Sequence, residues 1–216
     1  MARLWTFGDS FTESFLPKED CKVIHWRHHY IDWKGYVPKV YGEFLSERLG
    51  MELMNFGMGS WDNYSIFESF CRNVNDIDTD DLVIFGWSDP VRFRLTDGGG
   101  NWHPFTPNYQ YKTIPAEHMD NDSIDKLLAN RGHPQYAEEV NNWIKAINKL
   151  LNYTTVIHWT SFKCPINVTY IYPGLETIHS ETNGEVSDFH FSENGQEELS
   201  NILEAKYNKI KNKEII

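Results

Sequence analysis

The sequence predicts an α/β domain in which a mostly parallel sheet is covered by helices on both faces. Three observations lead to that class. Short apolar runs without alternation, suited to strands buried on both sides, recur along the chain. Between them lie segments whose apolar residues repeat at helical spacing. Strand and helix follow one another in turn, which calls for parallel pairing through helical crossovers.

Taken in order, Arg3 to Phe7 reads as the first strand and ends in Gly8-Asp9-Ser10. Residues 17–36 are polar and aromatic without a clear period and read as a loop. Pro38 to Leu49 predicts a helix, with proline at its start, Val40, Phe44, Leu45 and Leu49 on one stripe, and Gly50 to stop it. Glu52 to Phe56 is the second strand, followed by the loop Gly57-Met58-Gly59-Ser60. A helix from Tyr64 to Val74 carries Ile66, Phe67, Phe70, Cys71 and Val74 on one face. Residues 81–86 are apolar without alternation and read as a buried strand.

The regular alternation then breaks. Residues 93–135 hold Gly98 to Gly100, several prolines and the aromatics Trp102, Phe105, Tyr109 and Tyr111, and read as an irregular insertion. Packing within that insertion is the expected role of these aromatics, with a platform for sugar rings or acyl chains as the alternative. Helical spacing returns from Pro134 to Leu151 through Tyr136, Val140, Trp143, Ile144 and Ile147. Thr154 to Trp159 is a further strand. A second irregular stretch, 163–193, leads to a last helix with Leu199, Ile202, Leu203, Tyr207 and Ile210 on its stripe. Without repeat or boundary, residues 1–216 read as one domain.

Composition narrows the function. The chain carries 31 acidic against 20 basic residues, a formal charge of -11. It therefore lacks the basic footprint of a nucleic-acid binder, and it is expected to repel anionic lipid and strongly anionic substrates. No apolar run approaches the roughly 20 residues that span a bilayer. Without a signal-like apolar segment at the start, a cytoplasmic setting is expected. Cys21, Cys71 and Cys164 are far apart and form no paired motif, so free thiols are expected rather than a disulfide framework or zinc site. His25, His28, His29 and Asp32 cluster in sequence, but no second ligand set stands at a recognised spacing, so no metal is expected.

The ligand site of such a sheet lies beyond the carboxyl ends of its strands. That rule puts Ser10, the 57–60 loop and the 86–89 loop on one rim. A serine hydroxyl needs a base within hydrogen-bond reach and donors for the oxyanion that forms. Gly8-Asp9-Ser10 alone is a strand-to-helix turn with serine at the cap position. Asp188-Phe189-His190, just before the last helix, adds a base and an acid.

With these residues in place the chain resembles the SGNH (GDSL) hydrolase family. That family has a Gly-Asp-Ser motif after its first strand and an Asp/His motif before its last helix. A glycine loop follows its second strand and a Gly-x-Asn-Asp loop its third. Asn55-Phe56-Gly57-Met58-Gly59-Ser60 and Gly86-Trp87-Ser88-Asp89 stand in the two middle places. The resemblance implies a three-layer α/β/α sandwich of flavodoxin-like type. It also implies a serine hydrolase that cleaves an acyl ester without cofactor or metal, Ser10 being the nucleophile, His190 the base and Asp188 its orienting acid. Ser10, Gly59 and Ser88 would bind the oxyanion, with Gly57 competing for the place of Gly59. Two departures stand out. The acid lies two residues before the histidine instead of three, which leaves Glu185 or a backbone carbonyl as other partners for the ring. Ser88 replaces the asparagine. Asp9 is expected to tie down neighbouring loops, and Arg92 and Arg94 to be a solvated pair on a loop, with an acidic substrate group as the alternative they would face. The expected partner is a small-molecule or glycan ester. An acyltransferase with the same triad and a non-catalytic binding module are the alternatives.

Overall fold

The computed structural model describes residues 1–14, 38–59, 61–90, 92–96, 102–105, 133–171 and 191–213. Five parallel strands form the sheet, in the order β2-β1-β3-β6-β7. They are β1 (Arg3–Gly8), β2 (Glu52–Gly57), β3 (Leu82–Trp87), β6 (Thr155–Thr160) and the two-residue β7 (Thr169–Tyr170). A separate antiparallel hairpin joins β4 (Phe93–Thr96) to β5 (Trp102–Phe105). The helices are α1 (Tyr41–Leu49), α2 (Asn63–Asn73), α3 (His133–Leu150) and α4 (Glu193–Lys213).

Successive residues of a strand point to opposite faces, and both faces are buried here. Leu4, Leu82, Ile84 and Ile157 pack with Tyr41 and Leu45 of α1 and with Leu199, Leu203 and Tyr207 of α4. Trp5, Phe7, Val83 and Phe85 pack with Ile66 and Phe70 of α2 and with Val140, Ile144 and Ile147 of α3. The sheet is therefore the middle of three layers, as the sequence predicts, and this double burial is why its strands read as unbroken apolar runs.

One row across the sheet is aromatic. Phe56, Phe7, Phe85 and His158 stand in register on β2, β1, β3 and β6. Their neighbouring ring centroids are 5.4, 5.2 and 5.1 Å apart and nearly parallel, an offset-stacked arrangement. The next row toward the carboxyl ends is Gly57, Gly8 and Gly86.

Several expectations shift. Helix α1 starts at Tyr41 instead of Pro38, because the Glu43 carboxylate accepts the Val40 N–H at 2.8 Å and sets the cap there. Gly50 ends it in the left-handed conformation (φ 64°), which glycine adopts without a Cβ penalty. Cys71, expected on the apolar face of α2, is exposed, and Ile202 is 37% exposed on α4. The 93–135 stretch, irregular in its sequence pattern, contains a hairpin, and the equally irregular 163–193 stretch supplies the edge strand β7. The expected loop 17–36 and the cluster His25, His28, His29 and Asp32 lie outside the described residues. Among the described residues, no helix is long and apolar enough to cross a membrane.

Candidate active site

Beyond β1 the chain makes a tight turn. The Thr12 N–H donates to Asp9 O at 2.9 Å, the Glu13 N–H donates to the same oxygen at 3.1 Å, and Asp9 Oδ1 accepts the Phe11 N–H. Ser10 is the second residue of this turn and is half-buried. The glycine row makes the turn possible. A Cβ on Gly86 would lie 2.7 Å from Thr12 Oγ1 and 2.9 Å from the Trp159 ring, and one on Gly57 would lie 2.5 Å from the Thr12–Glu13 backbone. With side chains there, the turn could not settle on the sheet.

Polar contacts fix the turn to β2, α1 and α4. Asn55 Nδ2 donates to Thr12 O at 2.8 Å while Asn55 Oδ1 accepts the Gly57 N–H at 2.9 Å. Ser14 Oγ donates to Glu43 Oε1 on α1. Gln196 of α4 accepts the Tyr41 N–H and donates to Phe11 O. A turn held by its neighbours in this way confines the Ser10 backbone to a narrow geometry.

The loops beyond β2 and β3 meet the turn on one rim. The Met58 N–H donates to Gly8 O at 3.1 Å. A Cβ on Gly59 would lie 3.9 Å from the Ser10 Cβ, so these two residues are neighbours. The Gly59 N–H, however, donates to Glu13 Oε2 at 2.7 Å. It is thus already engaged by a carboxylate 46 positions away, a contact that no motif marks. Ser88 lies at the end of β3 and is fully buried. Asn63 clamps its backbone from both sides: Asn63 Oδ1 accepts the Ser88 N–H at 2.8 Å and Asn63 Nδ2 donates to Ser88 O at 2.9 Å. The Ser88 Oγ itself has no hydrogen-bond partner among the described residues, an unusual state for a buried hydroxyl.

Asp9 ties down a loop as expected. It is buried, and its Oδ2 lies 3.5 Å from Arg92 Nη1. Arg92 also donates to Trp61 O, so it braces the site and is not simply solvated. Asp188 and His190 lie outside the described residues. The chain is described again from Phe191, whose ring centroid is 5.0 Å from that of Phe11, the residue after Ser10. His190 is therefore adjacent in the chain to a side chain packed on the residue that follows Ser10. Among the described residues, no group of three or more His, Cys, Asp or Glu side chains is placed to hold a metal.

A second buried polar group lies one row from the glycines. The Trp87 Nε1–H donates to His158 Nδ1 at 3.1 Å, and His158 Nε2 lies 3.0 Å from Asn148 Oδ1. Since Nδ1 accepts, Nε2 carries the proton and donates to the amide oxygen. Burial, with the Lys206 charge adding to it, pulls this imidazole down to about 3. It is a neutral core residue.

No family model and no curated protein matches the chain. Solved structures do. A carbohydrate esterase whose active site displays divergent catalytic and non-catalytic binding functions matches with 11% identity and a TM-score of 0.50, over 96% of this chain and 65% of its own. An acetyl xylan esterase from the rumen bacterium Butyrivibrio proteoclasticus matches with 11% identity and a TM-score of 0.46, over 96% and 64%. A protein described as a GDSL-like lipase, from Parabacteroides merdae, matches with 13% identity and a TM-score of 0.40, over 96% and 74%. The chain spans just under two thirds of the length of the two esterase structures. Parallel strands in the order β2-β1-β3-β6-β7, helices on both faces and Gly8-Asp9-Ser10 at the rim give this chain the SGNH (GDSL) hydrolase fold.

Proposed function

We propose that the chain is a serine esterase acting on an acyl ester of a carbohydrate or other small polar alcohol. The observation that carries this reading is the built environment of Ser10. A half-buried serine sits in a turn latched to β2, α1 and α4, and the chain just past His190 packs its Phe191 ring on the neighbouring Phe11.

In this reading Ser10 Oγ attacks the ester carbonyl while His190 takes its proton. Asp188 orients the imidazole and stabilises its charged form. The oxyanion is met by the Ser10 N–H and by the Ser88 hydroxyl, which has no hydrogen-bond partner among the described residues. His190 then protonates the departing alcohol, and water activated by the same ring releases the acid. No cofactor takes part. The fold likeness to a carbohydrate esterase supports the choice of substrate class.

A second reading is a binding module that retains the fold, favoured by Ser88 in the asparagine position and by its burial. Acyl transfer to a sugar hydroxyl uses the same acyl-enzyme and differs only in the acceptor. Hydrolysis of p-nitrophenyl acetate and of peracetylated sugars separates these readings. Turnover that vanishes in Ser10→Ala and His190→Ala supports the esterase, and acylated product formed from an added polyol identifies the transferase. Sugar binding without turnover supports the module.

A further inference from the structure

A carboxylate taken out of water must find donors or be neutralised. Glu13 is such a group. It is 8% exposed, and its Oε2 accepts the Gly59 N–H at 2.7 Å. A Cβ on Gly59 would lie 2.9 Å from that oxygen and 3.9 Å from the Ser10 Cβ. Carboxylate, glycine and nucleophile are therefore consecutive neighbours on the rim.

Both ends of the contact are fixed. On one side the Glu13 N–H closes the turn onto Asp9 O, and Ser14 holds Glu43 on α1. On the other, the Gly57 and Met58 N–H groups are bonded to Asn55 Oδ1 and Gly8 O. The bond from Gly59 to Glu13 is charge-assisted and roughly twice as strong as a neutral one. An N–H held by a carboxylate does not also serve a developing oxyanion, because two negative groups would share one donor.

From this geometry we infer that Glu13 is a positioning residue for the Ser10 reaction, holding the β2 loop against Ser10 through the Gly59 N–H. Gly59 thereby leaves the oxyanion donors and becomes the attachment point of that loop. The inference rests on the esterase reading of Ser10. A misplacement of about 1 Å can cost about 10²-fold in rate, so release of this contact has a kinetic signature that lost stability alone lacks.

The test compares the parent chain with Glu13→Ala and Glu13→Gln, below the unfolding temperature of each. Three quantities are read: the rate at which a fluorophosphonate labels Ser10, kcat and KM for p-nitrophenyl acetate, and hydrogen exchange at the Gly59 amide. In Glu13→Ala we expect Gly59 exchange to rise and kcat and labelling to fall at least about tenfold, with KM within about threefold of the parent. Glu13→Gln keeps an oxygen that accepts the same N–H and restores most of the protection and the rate. Unchanged Gly59 exchange in Glu13→Ala, a parental kcat there, or Glu13→Gln as slow as Glu13→Ala overturns the inference. Should Glu13→Ala not fold, Glu13→Asp is one methylene shorter, withdraws from Gly59 and carries the same expectations. A parent chain that is not labelled at all sinks the esterase reading instead; a labelled parent with an equally reactive Glu13→Ala sinks the positioning role alone.

Discussion

The Thr12 side chain fills the space over Gly8 where any other residue would carry its Cβ. That atom would lie 2.1 Å from Thr12 Oγ1 and 2.6 Å from Thr12 Cβ. Tyr41 OH donates to the same Thr12 oxygen at 3.3 Å, so a retreat of the threonine would strain or break that bond. Gly8→Ala is expected to cost about 1–3 kcal/mol, the usual range for overpacking, and to slow Ser10 labelling at least tenfold by lifting the turn. Urea denaturation alongside the labelling rate checks both. Parental stability in Gly8→Ala would show that the turn relaxes easily.

Ser88→Ala separates packing from chemistry. The hydroxyl is buried without a partner among the described residues, so its removal is expected to leave stability unchanged or slightly raised. If the same hydroxyl meets the oxyanion, kcat falls by about 10²–10³, as for loss of one such donor elsewhere. A stable Ser88→Ala variant with parental kcat removes Ser88 from the donor set.

Asn63 holds the Ser88 backbone by two bonds. Asn63→Ala leaves a buried N–H and a buried C=O unpaired, at a cost of about 1–3 kcal/mol for each. The thermal midpoint of this variant, compared with the parent, reads that cost directly. An unchanged midpoint would mean that water replaces both bonds.

How much of this was legible beforehand follows from where each signal resides. Strands buried on both faces and helices with a single stripe write their pattern into neighbouring residues, so β1, β2, β3, β6 and all four helices were readable to within a few positions. β7 is two residues long and the β4–β5 hairpin has no alternation across its glycine-rich connection, so neither leaves a periodic trace. Ser10, Ser88 and the glycine loop, Asn55 included, stand out by motif. The contacts of Thr12, Glu13, Asn55 and Asn63 do not, because each acts through a backbone group from 25 to 46 positions away or through the space above a glycine. Those contacts exist only once β1, β2 and β3 lie in register.

His158 makes stability depend on pH. Its pKa lies near 3 in the folded chain, below the ordinary value of 6.5, so the unfolded chain binds a proton that the folded one refuses. Its contribution is complete above pH 6.5 and declines as pH falls toward 3, at up to about 1.4 kcal/mol per pH unit. His158→Gln is expected to flatten the pH dependence across that window by about one proton. Urea denaturation at successive pH values checks this, and an unaltered slope would assign the titration to other groups.

The most direct measurement is the mass of the chain after exposure to a fluorophosphonate, with the modified residue located by peptide mapping. The esterase reading predicts a single adduct on Ser10, absent in Ser10→Ala and strongly slowed in His190→Ala. A folded parent chain that carries no adduct on Ser10, or carries it equally with His190 removed, would contradict it.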